Sequence, residues 1–139
     1  MYKLNKNITV RTPGTCGELA QGVIDGGYFH ITCPVNLFSY VSVELAKKTE
    51  IPFNKWKTKK AVEKMLKLFR EKINLKVQIQ SKIPVSKGMA SSTADIVGVC
   101  LATANLLNLK ISEDSISKIA LSIEPTDGTM FTGITLFDH

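Results

Sequence analysis

Twelve residues, Pro84-Val85-Ser86-Lys87-Gly88-Met89-Ala90-Ser91-Ser92-Thr93-Ala94-Asp95, join two segments of opposite character. Leu75 to Ile83 reads as a β-strand, and Ile96 to Leu107 is a long apolar run that predicts a buried helix opening near residue 91. The join constrains the fold tightly, because the strand must pass into the helix through one glycine, small residues and three consecutive hydroxyls. Such a loop keeps bulky side chains away from the helix-opening N–H groups, where the helix also carries partial positive charge. That combination favours an anion, phosphate above all. A plain helix cap is the competing reading. The common phosphate loop, Gly-x4-Gly-Lys-[Ser/Thr], is absent.

The other elements follow from periodicity. Ile8 to Thr12 alternates as a strand and meets a turn signal at Pro13-Gly14. Residues 15–24 run to a second turn at Asp25-Gly26-Gly27, and Tyr28 to Thr32 and Leu37 to Leu45 read as further strands. Val62, Met65, Leu66, Phe69 and Ile73 recur at helical spacing, which predicts an amphipathic helix over 56–72. Ser112 is placed to cap a third helix, with Glu113 and Asp114 in its first turn and Ile116, Ile119, Ala120 and Ile123 along its buried stripe. Pro125 should stop that helix, and Met130 to Phe137 should begin another strand. Strands first and helices interleaved later predict an α+β layer rather than a doubly wound sheet.

The 139 residues suffice for one domain with a real core. The net charge of +6 is uneven: Lys47 to Lys76 holds eleven Lys/Arg against three Glu, a balance of +8. A solvated helix face explains this, and a nucleic-acid surface is the functional rival, although no binding motif accompanies it. Cys16, Cys33 and Cys100 are widely spaced, which argues against a disulfide framework or zinc site. Cys16 has no histidine arranged as a partner and reads as a buried, inert thiol. The N-terminus lacks a signal-peptide core, and a cytoplasmic protein is expected.

Three blocks carry a family resemblance: Pro13-Gly14-Thr15-Cys16-Gly17-Glu18-Leu19-Ala20-Gln21-Gly22, the loop at 84–95, and Ile123-Glu124-Pro125-Thr126-Asp127-Gly128. Together they resemble the GHMP kinases, whose phosphate loop reads roughly Pro-x3-Gly-Leu-Gly-Ser-Ser-Ala. The resemblance implies a fold like the second domain of ribosomal protein S5, with residues 1–139 as the N-terminal, ATP-binding domain of a longer enzyme. A second, C-terminal domain would complete the active site, so this chain alone is expected to be inactive.

The same resemblance assigns roles. Lys87, Gly88, Met89, Ala90, Ser91, Ser92 and Thr93 would hold the phosphates of ATP, with Lys87 adding a cation. The family pairs a loop serine with a later glutamate as ligands of Mg²⁺; here Ser92 is followed 32 residues on by Glu124, with Ser91 as the alternate hydroxyl. Taken alone, Glu124 is an ordinary helix-end glutamate, but a negative charge there opposes the helix dipole, and a nearby cation would compensate it. Asp127 is the candidate base for the acceptor hydroxyl, although Pro125-Thr126-Asp127-Gly128 is equally a plain β-turn. Thr15, Glu18 and Gln21 would line the acceptor site.

The blocks look closest to the branch that phosphorylates L-threonine for cobalamin biosynthesis. Ala90 in place of the usual second glycine and Thr93 in place of the usual alanine agree with that branch. Homoserine or another small alcohol is the alternative acceptor, and a non-catalytic S5-like nucleic-acid-binding domain the alternative from another class.

Overall fold

The computed structural model describes residues 6–126 and 128–138, without the side chains of residues 17, 18, 137 and 138. Its elements run β1 (Asn7–Ile24), β2 (Gly27–Ala46), α1 (Trp56–Phe69), β3 (Asn74–Ser81), α2 (Ser91–Leu106), α3 (Glu113–Leu121) and β4 (Thr135–Asp138). This is the expected α+β layer. All strand pairings are antiparallel and centre on β2. Its C-terminal half pairs with β3 in the register Val41↔Ile79 and Val43↔Val77, and its N-terminal half pairs with β4 through His30↔Phe137 and Ile31↔Leu136.

β1 and β2 form one long hairpin closed by Asp25 and Gly26, with φ of 50° and 82°. Positive φ at both central residues is the turn that matches strand twist, and Asp-Gly is its usual sequence. The predicted turn at Pro13-Gly14 does not form. β1 runs straight through it with register shifts between Pro13 and Ala20. Pro13 is tolerated because β1 pairs only with β2 and is an edge strand, where a missing N–H breaks no central ladder.

α2 forms because its sequence offers neither a polar stripe nor a proline after Ser92, and its burial outweighs the cost of Gly98. The helix is buried almost all round, packed on β1 and β2 and covered by α1 and α3. Gly98 permits the close approach, since a Cβ there would lie 2.6 Å from Val41 Cγ2. Val41, Val43, Met65, Leu75, Ile96, Val99 and Ile116 form the core beneath. Cys100 is buried with them, and desolvation pushes its thiol up to about 12. Cys16, by contrast, is exposed rather than buried. Among the described residues no helix is long and apolar enough to cross a membrane.

Several boundaries differ from the periodicity. α1 ends at Phe69 rather than 72, because Arg70 adopts a left-handed conformation (φ 56°) and its N–H and that of Glu71 return to the carbonyls of Lys67 and Leu66. β3 ends at Ser81 instead of Ile83, and β4 begins at Thr135 instead of Met130. Ser112 caps α3 as expected, its side chain accepting from Ser115 N–H at 3.1 Å. That helix ends at Leu121, four residues before Pro125, so Glu124 lies beyond it.

Candidate functional site

The segment from Val85 to Ala90 has no regular structure, and φ is positive at Ser86, Gly88 and Ala90, alternating with the residues between. Alternation of this kind turns successive N–H groups toward a common concavity suited to anions. Ala90 holds the left-handed conformation (φ 58°, ψ 36°) immediately before α2 and supplies no side-chain cap. The first helical bond is Ala94 N–H to Ala90 carbonyl at 2.9 Å. Among the described residues the N–H groups of Ser91, Ser92 and Thr93 therefore have no acceptor. A side-chain cap is not what the three hydroxyls provide.

β1 braces the loop from the side. Thr15 N–H donates to the Met89 carbonyl at 3.0 Å, and a Cβ on Gly14 would lie 2.7 Å from that same oxygen. Only glycine lets the strand pass this close. Pro13-Gly14 is thus a point of contact with the loop before α2, not a turn.

Glu124 is carried to the start of α2 by the segment that follows α3. Its N–H still donates to the Ala120 carbonyl at 3.1 Å, and Thr126 Oγ1 donates to Thr93 Oγ1 at 3.1 Å. In that position Ser92 Oγ donates to Glu124 Oε1 at 2.7 Å. The two residues that the resemblance paired do meet. The other oxygen, Oε2, is held by Lys57 Nζ from the first turn of α1. Glu124 lies three residues past α3 rather than in its last turn, and the cation beside it is a lysine.

A second cluster adjoins it. Asp95, with 2% of its side chain exposed, accepts from Ser39 Oγ at 2.6 Å and from Lys55 Nζ at 2.7 Å. α1 has no acidic residue in its first turn. Asp95 and Glu124 thus supply, from other elements, the negative charge that its N-terminus favours. Between the two clusters lies a cavity of about 130 Å³, lined by Asn54, Lys55, Trp56, Lys57, Thr58, Val85, Ser91, Ser92 and Asp95. Two helix N-termini border it, together with Lys55 and Lys57, each paired with a carboxylate. A wider groove of about 530 Å³ between α1 and α3 shares none of these residues. Two of its lysines, Lys67 and Lys118, lie in the last turns of their helices, where the dipole favours cations.

The remaining candidates are less gathered. Lys87 and Gly88 are exposed on the loop. Thr15 is buried, and its hydroxyl has no hydrogen-bond partner among the described residues. The backbone of Glu18 pairs with Thr32, and Gln21 is exposed opposite His30. Thr15 and Gln21 are six residues apart on one extended strand, so the three are strung along β1. Asp127 lies outside the described residues. Asp95, Ser39, Lys55 and Lys57 were not foreseen. The one available signal was Asp95 itself, the only charge between Ser91 and Leu107, since a lone carboxylate in an apolar helix needs a partner.

Among the described residues no three His, Cys, Asp or Glu gather into a metal site. The pair Ser92 and Glu124 still fits Mg²⁺, which takes hard oxygen ligands and commonly only one or two from protein, the rest being phosphate and water.

Residues 57–135 match the family model of the GHMP kinases N terminal domain. The L-threonine kinase of Salmonella typhimurium is 38% identical over 141 residues, covering 99% of this chain and 47% of its own length. That of Citrobacter freundii is 37% identical over 131 residues, covering 91% and 45%. The chain thus spans about half the length of the curated relatives it matches. Among solved structures, the mevalonate kinase of Methanococcus jannaschii superposes with a TM-score of 0.76 at 20% identity, covering 97% of this chain and 54% of that one.

Proposed function

The chain belongs to the GHMP kinases, as their N-terminal domain, and on that premise we propose that the whole protein transfers the γ-phosphoryl group of ATP to the hydroxyl of L-threonine. Residues 1–139 would be its ATP-binding half. The observation that carries this reading is the meeting of Ser92 and Glu124 at the uncapped start of α2. The 38% identity to an L-threonine kinase supports the choice of acceptor. The resemblance would place the product in cobalamin assembly, and the whole reaction in the cytoplasm.

Phosphoryl transfer asks a protein chiefly for positioning and charge stabilisation. The N–H groups from Gly88 to Thr93 would hold the phosphates, with Met89 and Ala90 contributing backbone alone and Lys87 adding charge at the rim. Ser92 and Glu124 would hold Mg²⁺, with Ser91 as alternate hydroxyl. The ion, when bound, neutralises charge on the phosphate oxygens. Asp127 would accept the proton of the attacking hydroxyl, and Thr15, Glu18 and Gln21 would meet the acceptor from β1. Because those three are strung along a strand, residues of the other half of the enzyme would have to close the acceptor site.

The test is turnover of the whole protein with ATP and a panel of L-threonine, L-serine and homoserine, read as phosphorylated product by mass spectrometry. Formation of O-phospho-L-threonine with the highest kcat/KM supports the reading. Faster turnover of homoserine reassigns the acceptor, and no phosphorylated amino acid overturns it.

A further inference from the structure

Lys57 belongs to no motif, yet it occupies the most consequential contact in the site. Its ammonium pairs with Glu124 Oε2 while Ser92 Oγ holds Oε1, so both oxygens of the carboxylate are engaged. The group is half-buried: 15% of the Glu124 side chain and 30% of that of Lys57 are exposed. A carboxylate with this little exposure is stabilised by a counter-charge close by. A divalent cation on the same carboxylate would stand within a few ångströms of the ammonium, and in a site of reduced polarity that repulsion is strong. One cation must yield. Lys57 is able to: its stem is flexible, Trp56 offers its ring 5.6 Å from Nζ, and Lys57 already lines the cavity beside Ser91 and Ser92.

The geometry points to Lys57 as the resident counter-ion of Glu124, displaced when a divalent cation binds and transferred to the nucleotide phosphate. This rests on the reading of Ser92 and Glu124 as the cation's ligands. A bare cation then binds weakly, because Lys57 loses its partner and gains none. With nucleotide present, Lys57 exchanges one anion for another, so each ligand strengthens the other. Such coupling is reciprocal by thermodynamic necessity.

The experiment is a titration of the whole protein with Mn²⁺ alone, following free Mn²⁺ by electron paramagnetic resonance, in wild type, Lys57→Met, Lys57→Arg and Glu124→Gln. Lys57→Met should bind Mn²⁺ about tenfold more tightly, melt lower than wild type in EDTA and recover on adding Mn²⁺. Lys57→Arg should behave as wild type. Lys57→Gln, which keeps a donor to Glu124 without the charge, replaces the Met variant if that fails to fold. Unchanged or weaker Mn²⁺ binding in Lys57→Met and Lys57→Gln, with Glu124→Gln clearly weakened, overturns the exchange and leaves the metal site standing. Unweakened binding in Glu124→Gln removes the metal assignment itself, and the exchange falls with it.

Discussion

Two clusters stand side by side where α1 and α2 begin, assembled from the same three parts. In one, Asp95 takes Ser39 and Lys55; in the other, Glu124 takes Ser92 and Lys57. The lysines are two residues apart on the chain. They differ in what surrounds the carboxylate. Asp95 projects from within a buried helix, at 2% exposure, and its hydroxyl partner lies in the central strand. It ties β2, α1 and α2 together. Glu124 sits at 15% exposure on an irregular segment beyond α3, and its hydroxyl partner lies on the uncapped turn of α2. Identical chemistry is thus a structural clamp where the carboxylate is fully buried and, on the proposal above, an exchangeable site where the carboxylate keeps some exposure.

The largest effect that tests this division is on turnover. Glu124→Gln in the whole enzyme should lower kcat on the order of 10²-fold, the loss typical of removing one group that stabilises developing charge. The melting temperature should hardly move, since the amide still accepts from Ser92 and water reaches the side chain. Steady-state kinetics with parallel thermal melts check this. A collapse of stability with the activity would make the Glu124 cluster a clamp as well.

Asp95→Ala should show the opposite profile. It leaves Ser39 buried without its acceptor and Lys55 without its counter-ion. The expected cost is about 2–3 kcal/mol, below the full range for a broken buried pair because Lys55 retains access to water. Urea unfolding measures it. Unchanged stability with lost ATP binding would move Asp95 into the ligand site and dissolve the distinction.

The sequence made one cluster half-legible and left the other dark, for physical reasons. Ser92 and Glu124 were paired by the resemblance, and the small, hydroxyl-rich loop around Ser92 suits a helix start facing an anion, although its composition fits a plain cap as well. Lys55 and Lys57 were hidden by company, because nothing local distinguishes two paired lysines among eleven basic residues between Lys47 and Lys76. Ser39 lies in a strand whose alternation sets its face but not its partner 56 residues away. Pro13-Gly14 misled for a related reason. Its turn chemistry is real, but the ladder to β2 and the Met89 carbonyl use the glycine for a close approach instead. Arg70 ended α1 in a conformation that sequence rules reserve for glycine or asparagine. Element type and order follow from local pattern, whereas partner choice among polar groups is decided by the packed fold.

The smallest effect sharpens the comparison most, because it removes the same hydroxyl from both clusters. Ser39→Ala should cost about 1.5–2 kcal/mol, the lower part of the range for a hydrogen bond to a charged group. Ser92→Ala should cost under about 0.5 kcal/mol, since Glu124 keeps Lys57 and gains water. Single substitutions mix each hydroxyl's own packing with its bond, so the decisive quantity is the coupling energy from two double-mutant cycles, Ser39 with Asp95 and Ser92 with Glu124. Coupling near 1 kcal/mol in the first and near zero in the second is the outcome that burial predicts. Equal coupling would mean that the cavity beside Glu124 is closed to water until nucleotide arrives. Metal entry would then have to follow nucleotide binding.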